Sequence, residues 1–471
     1  MAHPTSRESD PGLAMAAYAA TLSFEHLPDE LIPVLKRLVL DTLGTTLAGS
    51  TLGAGCPELL AEVRAAGGVA ESTVIGFDER VPAPAAALAN GAMAHALNFE
   101  DVYPGGGHLG AVTFPAALAV AERQGNVSGR DFLAALAAGT EISARLQVAV
   151  RRADDGTSEA KPQPTQMLGY FSAAASAGRV LRLDTPAMLS ALGLALMQAS
   201  GNRQPVLEGT PAKAIYAAFP NHGGVLSALL SQRGLRADCA VFEGEAGFFP
   251  TFYNGRYHPP ALVERLGEEF YTLAVGFKPW PTTNRAHPFI EAALELAATH
   301  PPDTIAEVHV RGGNYIRTFC EPLATRQRPR TSVEAEDSIF FGVAKALVNR
   351  QVVLADFQPR GLEQPETVQL AARMRYSIEP ELGHAGIVEI GTVSGQRYSC
   401  RVDEPLGDPA KPLGDAQLVA KFRDCAQHAA NGLAPRTLDD VLALVDHLER
   451  VPDVSQLTTL LRGAEPGRPR R

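Results

Sequence analysis

Between Pro11 and Leu266 apolar residues recur at three-and-four spacing, with almost no run of alternating polarity. This pattern dictates a body of packed α-helices. Leu27-Pro28-Asp29-Glu30 opens one such helix, whose apolar positions are Leu31, Val34, Leu35, Leu38, Val39 and Leu43. The spacing predicts further helices at 56–66, 84–97, 109–124, 129–149, 166–182, 186–199 and 212–232, separated by Gly/Pro-rich breaks. Asp10-Pro11 reads as an N-cap followed by a first-turn proline. Ser72–Phe77 is the one strand expected in this half. Alanine supplies roughly one residue in six, well above ordinary usage. It has the best helix propensity, and its small side chain lets helices approach closely. With only 6% aromatic residues, the pattern favours a tight helical body over a β-sandwich.

The pattern changes after Leu266. Thr304–Arg311 alternates in polarity, and Gly386–Val402 reads as two strands around Ser394-Gly395, a hairpin signal. Helical stretches at 286–299, 333–349 and 364–375 lie between them, and beyond Pro409 helices return at 413–431, 436–449 and 454–463. The expected fold is mostly α. A large helical domain begins at 11–266, a smaller α+β lid domain spans 267–404, and C-terminal helices at 405–465 complete the helical domain.

The chain carries 42 Lys+Arg against 52 Asp+Glu, a net charge of −10. That balance argues against a sequence-independent grip on nucleic-acid backbones, which needs clustered cations. The basic ending Arg462–Arg471 reads as a solvated tail. Cys56, Cys239, Cys320, Cys400 and Cys425 are scattered and odd in number, as expected of reduced thiols rather than a disulfide framework or a zinc site. The longest nearly apolar stretch, Gly110–Ala121, falls short of the ~18 residues a spanning helix needs. Glu8, Asp10 and Pro11 precede Leu13–Phe24 where a secretory signal would carry basic residues. These features predict a cytoplasmic protein with no membrane partner.

Gly105-x-Gly107-x-x-Gly110 has the letters of a dinucleotide fingerprint, but no strand precedes it and no βαβ unit surrounds it. A tight backbone approach to a pocket is the better reading of Gly105-Gly106-Gly107. Ser158-x-x-Lys161 lacks the companion motifs of a β-lactamase. No His-Glu-x-x-His, Gly-x-x-x-x-Gly-Lys or Gly-x-Ser-x-Gly occurs, and the thiols are too dispersed to hold an iron–sulfur cluster. The expected chemistry is therefore side-chain acid–base work, proton transfer and elimination, with neither metal nor cofactor.

In four stretches polar residues interrupt apolar sequence. Asn90-Gly-Ala-Met-Ala-His-Ala-Leu-Asn98-Phe-Glu-Asp101 runs on to His108, and Ser200-Gly-Asn202-Arg203 leads through Glu208-Gly-Thr to Lys213. Phe277-Lys278-Pro-Trp280 continues through Thr283, Arg285 and His287, and Asn314-Tyr315 follows the strand pattern at 304–311. In this order the blocks resemble the MmgE/PrpD family, which includes 2-methylcitrate dehydratase, cis-aconitate decarboxylase and iminodisuccinate epimerase. The resemblance runs over nearly the whole chain and agrees with the architecture read from the pattern.

The resemblance implies a cofactor-independent lyase acting on a small carboxylate, a homodimer, and an active site between the domains. It points to His108, Lys213, Lys278 and Tyr315 as catalytic, and the same polar blocks offer Asn98, Asp101, Gln163, Arg203, Thr283 and Arg285 as substrate-binding candidates. Departures are present. Asn98 stands where many relatives have aspartate, Val102 where they have threonine, Gln163 for a histidine, and Thr283 where the decarboxylases have another histidine. Asparagine and glutamine keep the hydrogen-bonding shape but do not titrate near neutral pH. Proton transfer then falls to His108 and Lys278, with Lys213 and Arg203 or Arg285 holding a substrate carboxylate. Two lysines sharing a desolvated cleft would lower at least one pKa.

Blander roles compete with these. His95, His222 and His287 are expected to be structural, as most histidines in a helix-rich chain are. Glu100 and Asp101 would brace the turn, and Tyr315 would pack at a strand edge. An isomerase or epimerase could use the same deprotonation, and a degenerate binding protein would have lost it. Retention of His108, Lys213 and Lys278 favours an enzyme.

Overall fold

Asp10 accepts hydrogen bonds from the backbone N–H groups of Gly12 and Leu13, at 2.8 and 3.4 Å, and so caps the first helix, Pro11–Thr21. The computed structural model describes residues 10–153, 163–237 and 239–462. Ser158, Lys161 and the tail beyond Arg462 lie outside the described residues. Long helices follow at Leu31–Leu52, Ala83–His95, Gly129–Ala153, Pro164–Val180 and Ala218–Gln232. Small residues set their spacing, as the alanine content predicts. A Cβ on Gly49 would lie 2.1 Å from the carbonyl oxygen of Met93, and one on Gly91 would lie 2.5 Å from Asn221 Nδ2. The helix Ala83–His95 is thereby locked between two neighbours, and its C-terminal end delivers His95 to the site.

The run at Ser72 is half of a hairpin: β1 (Ser72–Val74) pairs antiparallel with β2 (Glu79–Val81). The main sheet has the order β4-β3-β5-β6. Here β3 (Ile305–Gly312) pairs parallel with β4 (Arg375–Ile378) and antiparallel with β5 (Gly386–Thr392), which turns back into β6 (Arg397–Val402). Gly395 takes φ +80° in that turn, the left-handed geometry read from Ser394-Gly395. Strand β4 is absent from the sequence reading because Arg375–Ile378 is short and follows a helical pattern without a Gly/Pro break. Helices His287–Thr299 and Ile339–Asn349 pack together beside this sheet.

Two large hydrophobic cores result, with two small clusters around Phe99 and Val112 beside them. The first runs from Met15 to Leu461 and includes Phe270, Val275 and Phe277. The second runs from Trp280 to Val402. The change of core falls between Phe277 and Trp280, so Lys278 sits on the seam. Helix Asp415–Ala426 returns to the first core, laying Leu418 and Phe422 against Leu31–Leu52.

Three predicted helices differ in detail. The span 109–124 becomes regular only at Phe114, because residues 110–113 turn past the site. The span 212–232 begins as a 3-10 turn, Pro211–Ile215, before Ala218. The span 333–349 breaks into Ser332–Glu336 and Ile339–Asn349, since Ser338 caps the second helix by accepting from Phe341 N–H at 3.0 Å.

Helix Gly129–Ala153 is long and apolar enough to cross a membrane, a case the search for unbroken apolar runs passed over. Within the fold, 94% of its most apolar window is buried by protein. Its buried Glu141–Arg145 pair, at 2.8 Å, is satisfied by the backbone of Tyr271, Thr272, Ala261, Glu264 and Glu269. This is a core helix with internal polar partners.

Candidate active site

The loop after Ala83–His95 builds one wall. Asn98 adopts φ +50°, a left-handed conformation asparagine tolerates better than most residues. Asp101 is fully buried, and its carboxylate accepts from the N–H groups of Leu109 at 2.7 Å and Gly110 at 2.9 Å. Its backbone oxygen accepts from His108 Nδ1. Asp101 therefore folds the loop back on itself and aims the His108 ring. Burial beside Asp41 and Glu100 pushes its carboxyl up to about 7. Between these anchors, Gly105 and Gly106 take φ values of +106° and +95° and line the cavity. A Cβ on Gly107 would lie 2.0 Å from Gln147 Oε1. The glycines serve a close approach to the cavity wall, and no strand leads into them.

His108 Nδ1 faces two acceptors, the Asp101 carbonyl and Glu100 Oε1 at 3.3 Å. A carbonyl only accepts, so Nδ1 carries the hydrogen and Nε2 keeps its lone pair. Burial holds the His108 pKa down to about 3, with Lys278 and His95 adding to the shift while Glu100 opposes it. The ring is thus neutral at pH 7. His95 meets it edge-on at 5.1 Å between centroids, and its own Nδ1 bonds to Glu100 Oε1. Ligand-type atoms of His95, Glu100 and His108 lie within 4.8 Å of one another, the only group of this kind among the described residues. Both Nδ1 atoms are already engaged in hydrogen bonds. The arrangement sets both imidazole rings around one buried carboxylate.

Lys278 is 1% exposed. Its Nζ donates to Asn98 Oδ1 at 2.6 Å and to Asn98 O at 2.8 Å. Burial lowers its pKa to about 8; Glu100 opposes the shift, and Lys213 and Lys421 reinforce it. Lys213 is equally buried but goes the other way. Its Nζ lies 2.9 Å from Asp337 Oδ2 and 3.5 Å from Glu336 Oε2, and those carboxyls raise its pKa against the burial cost. Two lysines in one cleft are therefore driven apart in basicity, one by burial and the other by its carboxyl partners.

The second core supplies the opposite wall. Thr283 N–H donates to Glu336 O at 2.8 Å, fixing the helix break that carries Asp337. The Arg285 guanidinium lies 5.4 Å over the Tyr315 ring, and the Tyr315 hydroxyl donates to His384 O at 3.1 Å. Burial raises the Tyr315 pKa further above its ordinary value, so the phenol stays protonated. The walls enclose a cavity of about 510 Å³, within the usual range for small ligands.

His108, Lys213, Lys278, Tyr315, Asn98, Gln163, Arg203, Thr283 and Arg285 all line this cavity. Asp101 does not, and its contacts are those of a loop brace. His95, expected to be structural, lines the cavity; His287 lies outside it, buried against Trp280. The sequence reading passed over Asp337, Arg151 and Arg256, which also line it. It also passed over Lys421, whose Nζ donates to Asp41 Oδ1, Phe99 O and Lys278 O and so ties the C-terminal helix to both Lys278 and the loop. No local motif marks these residues. Their role depends on where distant segments meet.

Residues 13–260 match the MmgE/PrpD N-terminal domain, and residues 280–442 match the MmgE/PrpD C-terminal domain. The chain is 26% identical over 466 residues to a human cis-aconitate decarboxylase, covering 94% of this chain and 93% of the relative. It is 26% identical to the cis-aconitate decarboxylase of Aspergillus terreus, with 94% of each chain covered. A cis-aconitate decarboxylase-like protein of Aspergillus oryzae is 28% identical, over 93% of this chain and 94% of the relative. With both domain matches in sequence order, and with family-type residues gathered on one cavity, the chain belongs to the MmgE/PrpD family.

Proposed function

We propose that this chain is a lyase that removes CO2 or water from a small carboxylate, using protein side chains as acid and base. One observation carries the reading: buried His108 and Lys278 open on the same cavity, which Lys213, Arg203 and Arg285 also line, and burial lowers the pKa of both. Neutral His108 offers a lone pair at Nε2. Lys278 exchanges a proton near neutral pH, and Lys213 stays cationic.

Arg203 and Arg285 bind substrate carboxylates at the wall, where a guanidinium presents paired donors. In decarboxylation, the electrons of the breaking C–C bond pass into the adjacent unsaturated carboxyl system, and CO2 departs. Lys278 then protonates the carbanion. In dehydration, neutral His108 takes the α-proton at Nε2 while the hydroxyl leaves as water with a proton from the Lys278 ammonium. Lys213 stabilises the developing negative charge in either case. The decarboxylase relatives favour the first course, while Asn98, Gln163 and Thr283 in place of titrating residues favour a substrate different from theirs.

The test is 13C NMR of the purified chain with cis-aconitate, citrate and 2-methylcitrate, together with smaller hydroxy and unsaturated diacids, in deuterated water. The expected result is loss of CO2 or water from at least one acid. Signals unchanged across the whole set, with no solvent deuterium entering any acid, would contradict the proposal.

A further inference from the structure

Asp337 is the single acidic residue among the described residues that line the cavity, facing a set that includes Arg151, Arg203, Arg285, Lys213 and Lys278. It is 3% exposed. Its Oδ2 is ion-paired with Lys213 Nζ at 2.9 Å without an aligned hydrogen bond, and its Oδ1 accepts only a long one, 3.5 Å, from Asn98 Nδ2, so both oxygens keep lone pairs for a ligand. Its position is set firmly. It occupies the break between helices Ser332–Glu336 and Ile339–Asn349, held by Thr283 N–H on Glu336 O and by Ser338, whose hydroxyl donates to Arg326 O.

A buried carboxylate repels a second carboxylate brought against it and accepts well from a hydroxyl or ammonium group. Asn98, its neighbour, is neutral, and its side-chain oxygen is already taken by Lys278 Nζ at 2.6 Å. Asp337 thus divides the cavity into a cationic wall at Arg203 and Arg285 and one acceptor spot beside Lys213.

We infer that Asp337 is a specificity-determining residue that selects carboxylate substrates bearing a hydrogen-bond donor, a hydroxyl or amino group, over carboxylates of equal charge without one. The inference rests on the reading of the cavity as a carboxylate site.

Matched ligand pairs test it: succinate against malate, and tricarballylate against citrate, titrated calorimetrically into the wild type, Asp337→Asn and Asp337→Glu. The wild type is expected to prefer at least one hydroxylated member by about tenfold. Asp337→Asn should bring that ratio to near one, and Asp337→Glu should retain part of it. If Asp337 only neutralised Lys213, Asp337→Asn would tighten both members alike and leave the ratio unchanged. An unchanged ratio, or no preference in the wild type, overturns the inference while leaving the carboxylate reading intact. Absence of binding by all four acids overturns that reading and the inference with it. Thermal melts of each variant separate lost selectivity from lost folding, and a folded Asp337→Glu that keeps the preference supports the inference even where Asp337→Asn unfolds.

Discussion

Asn98 puts its side-chain oxygen 2.6 Å and its backbone oxygen 2.8 Å from Lys278 Nζ, so the nearest partner of this buried ammonium is neutral. An aspartate at the same place would favour the charged lysine. Asn98→Asp should raise the Lys278 pKa by about 1–3 units, the usual effect of an adjacent opposite charge. The pH–rate limb near 8 would move upward in the variant, and a limb that stays put would show that Lys278 does not set it.

The depressed pKa of His108 also predicts an acid sensitivity. In the folded chain His108 takes up its proton only near pH 3, whereas an unfolded histidine does so near 6.5. Between those values the unfolded state binds more protons, so this residue removes stability as pH falls. Asp101 and Glu336, raised to about 7 and about 8, act with the opposite sign and lose stability as pH rises. Because His108→Gln removes the first effect, its melting temperature should fall less steeply than that of the wild type from pH 6.5 toward 4. Parallel curves would refute the assignment.

Lys421 links the C-terminal helix to the site through Asp41 Oδ1 at 2.6 Å and Lys278 O at 2.9 Å. Lys421→Met would leave the Asp41 carboxylate buried and unpaired, at a cost of about 3–5 kcal/mol. Urea unfolding should show this loss, and adding Asp41→Asn should restore part of it. Equal midpoints for the wild type and Lys421→Met would contradict the link.

Much of this fold can be read from periodicity. The Asp10 cap, the long helix beginning at Leu31 and the β5–β6 hairpin each follow from a local rule, and local rules act within one or two turns of chain. The site is only partly local. His108, Lys213 and Lys278 stand out because charge or glycine interrupts apolar sequence. Asp337 sits inside what reads as one continuous helix from 333 to 349, and only the Ser338 cap breaks it. Lys421 reads as an ordinary amphipathic position until helix Asp415–Ala426 is laid against Asp41. His95 looked structural because its partners, Glu100 and His108, reach it only after the loop folds back through Asp101.

The central claim is that Lys278 delivers a proton to the reacting substrate and that neutral His108 takes one where water is the leaving group. It is tested most directly by turnover in deuterated water, followed by NMR, of an acid the wild type converts, comparing wild type, Lys278→Ala and His108→Ala. The account predicts solvent deuterium at the carbon that loses CO2, or at the α-carbon of recovered acid where water leaves, with rates lower by about 10²–10⁴ in Lys278→Ala for either course and in His108→Ala where water leaves, the usual contribution of positioned acid–base groups. Product formation at the wild-type rate by both variants would contradict it.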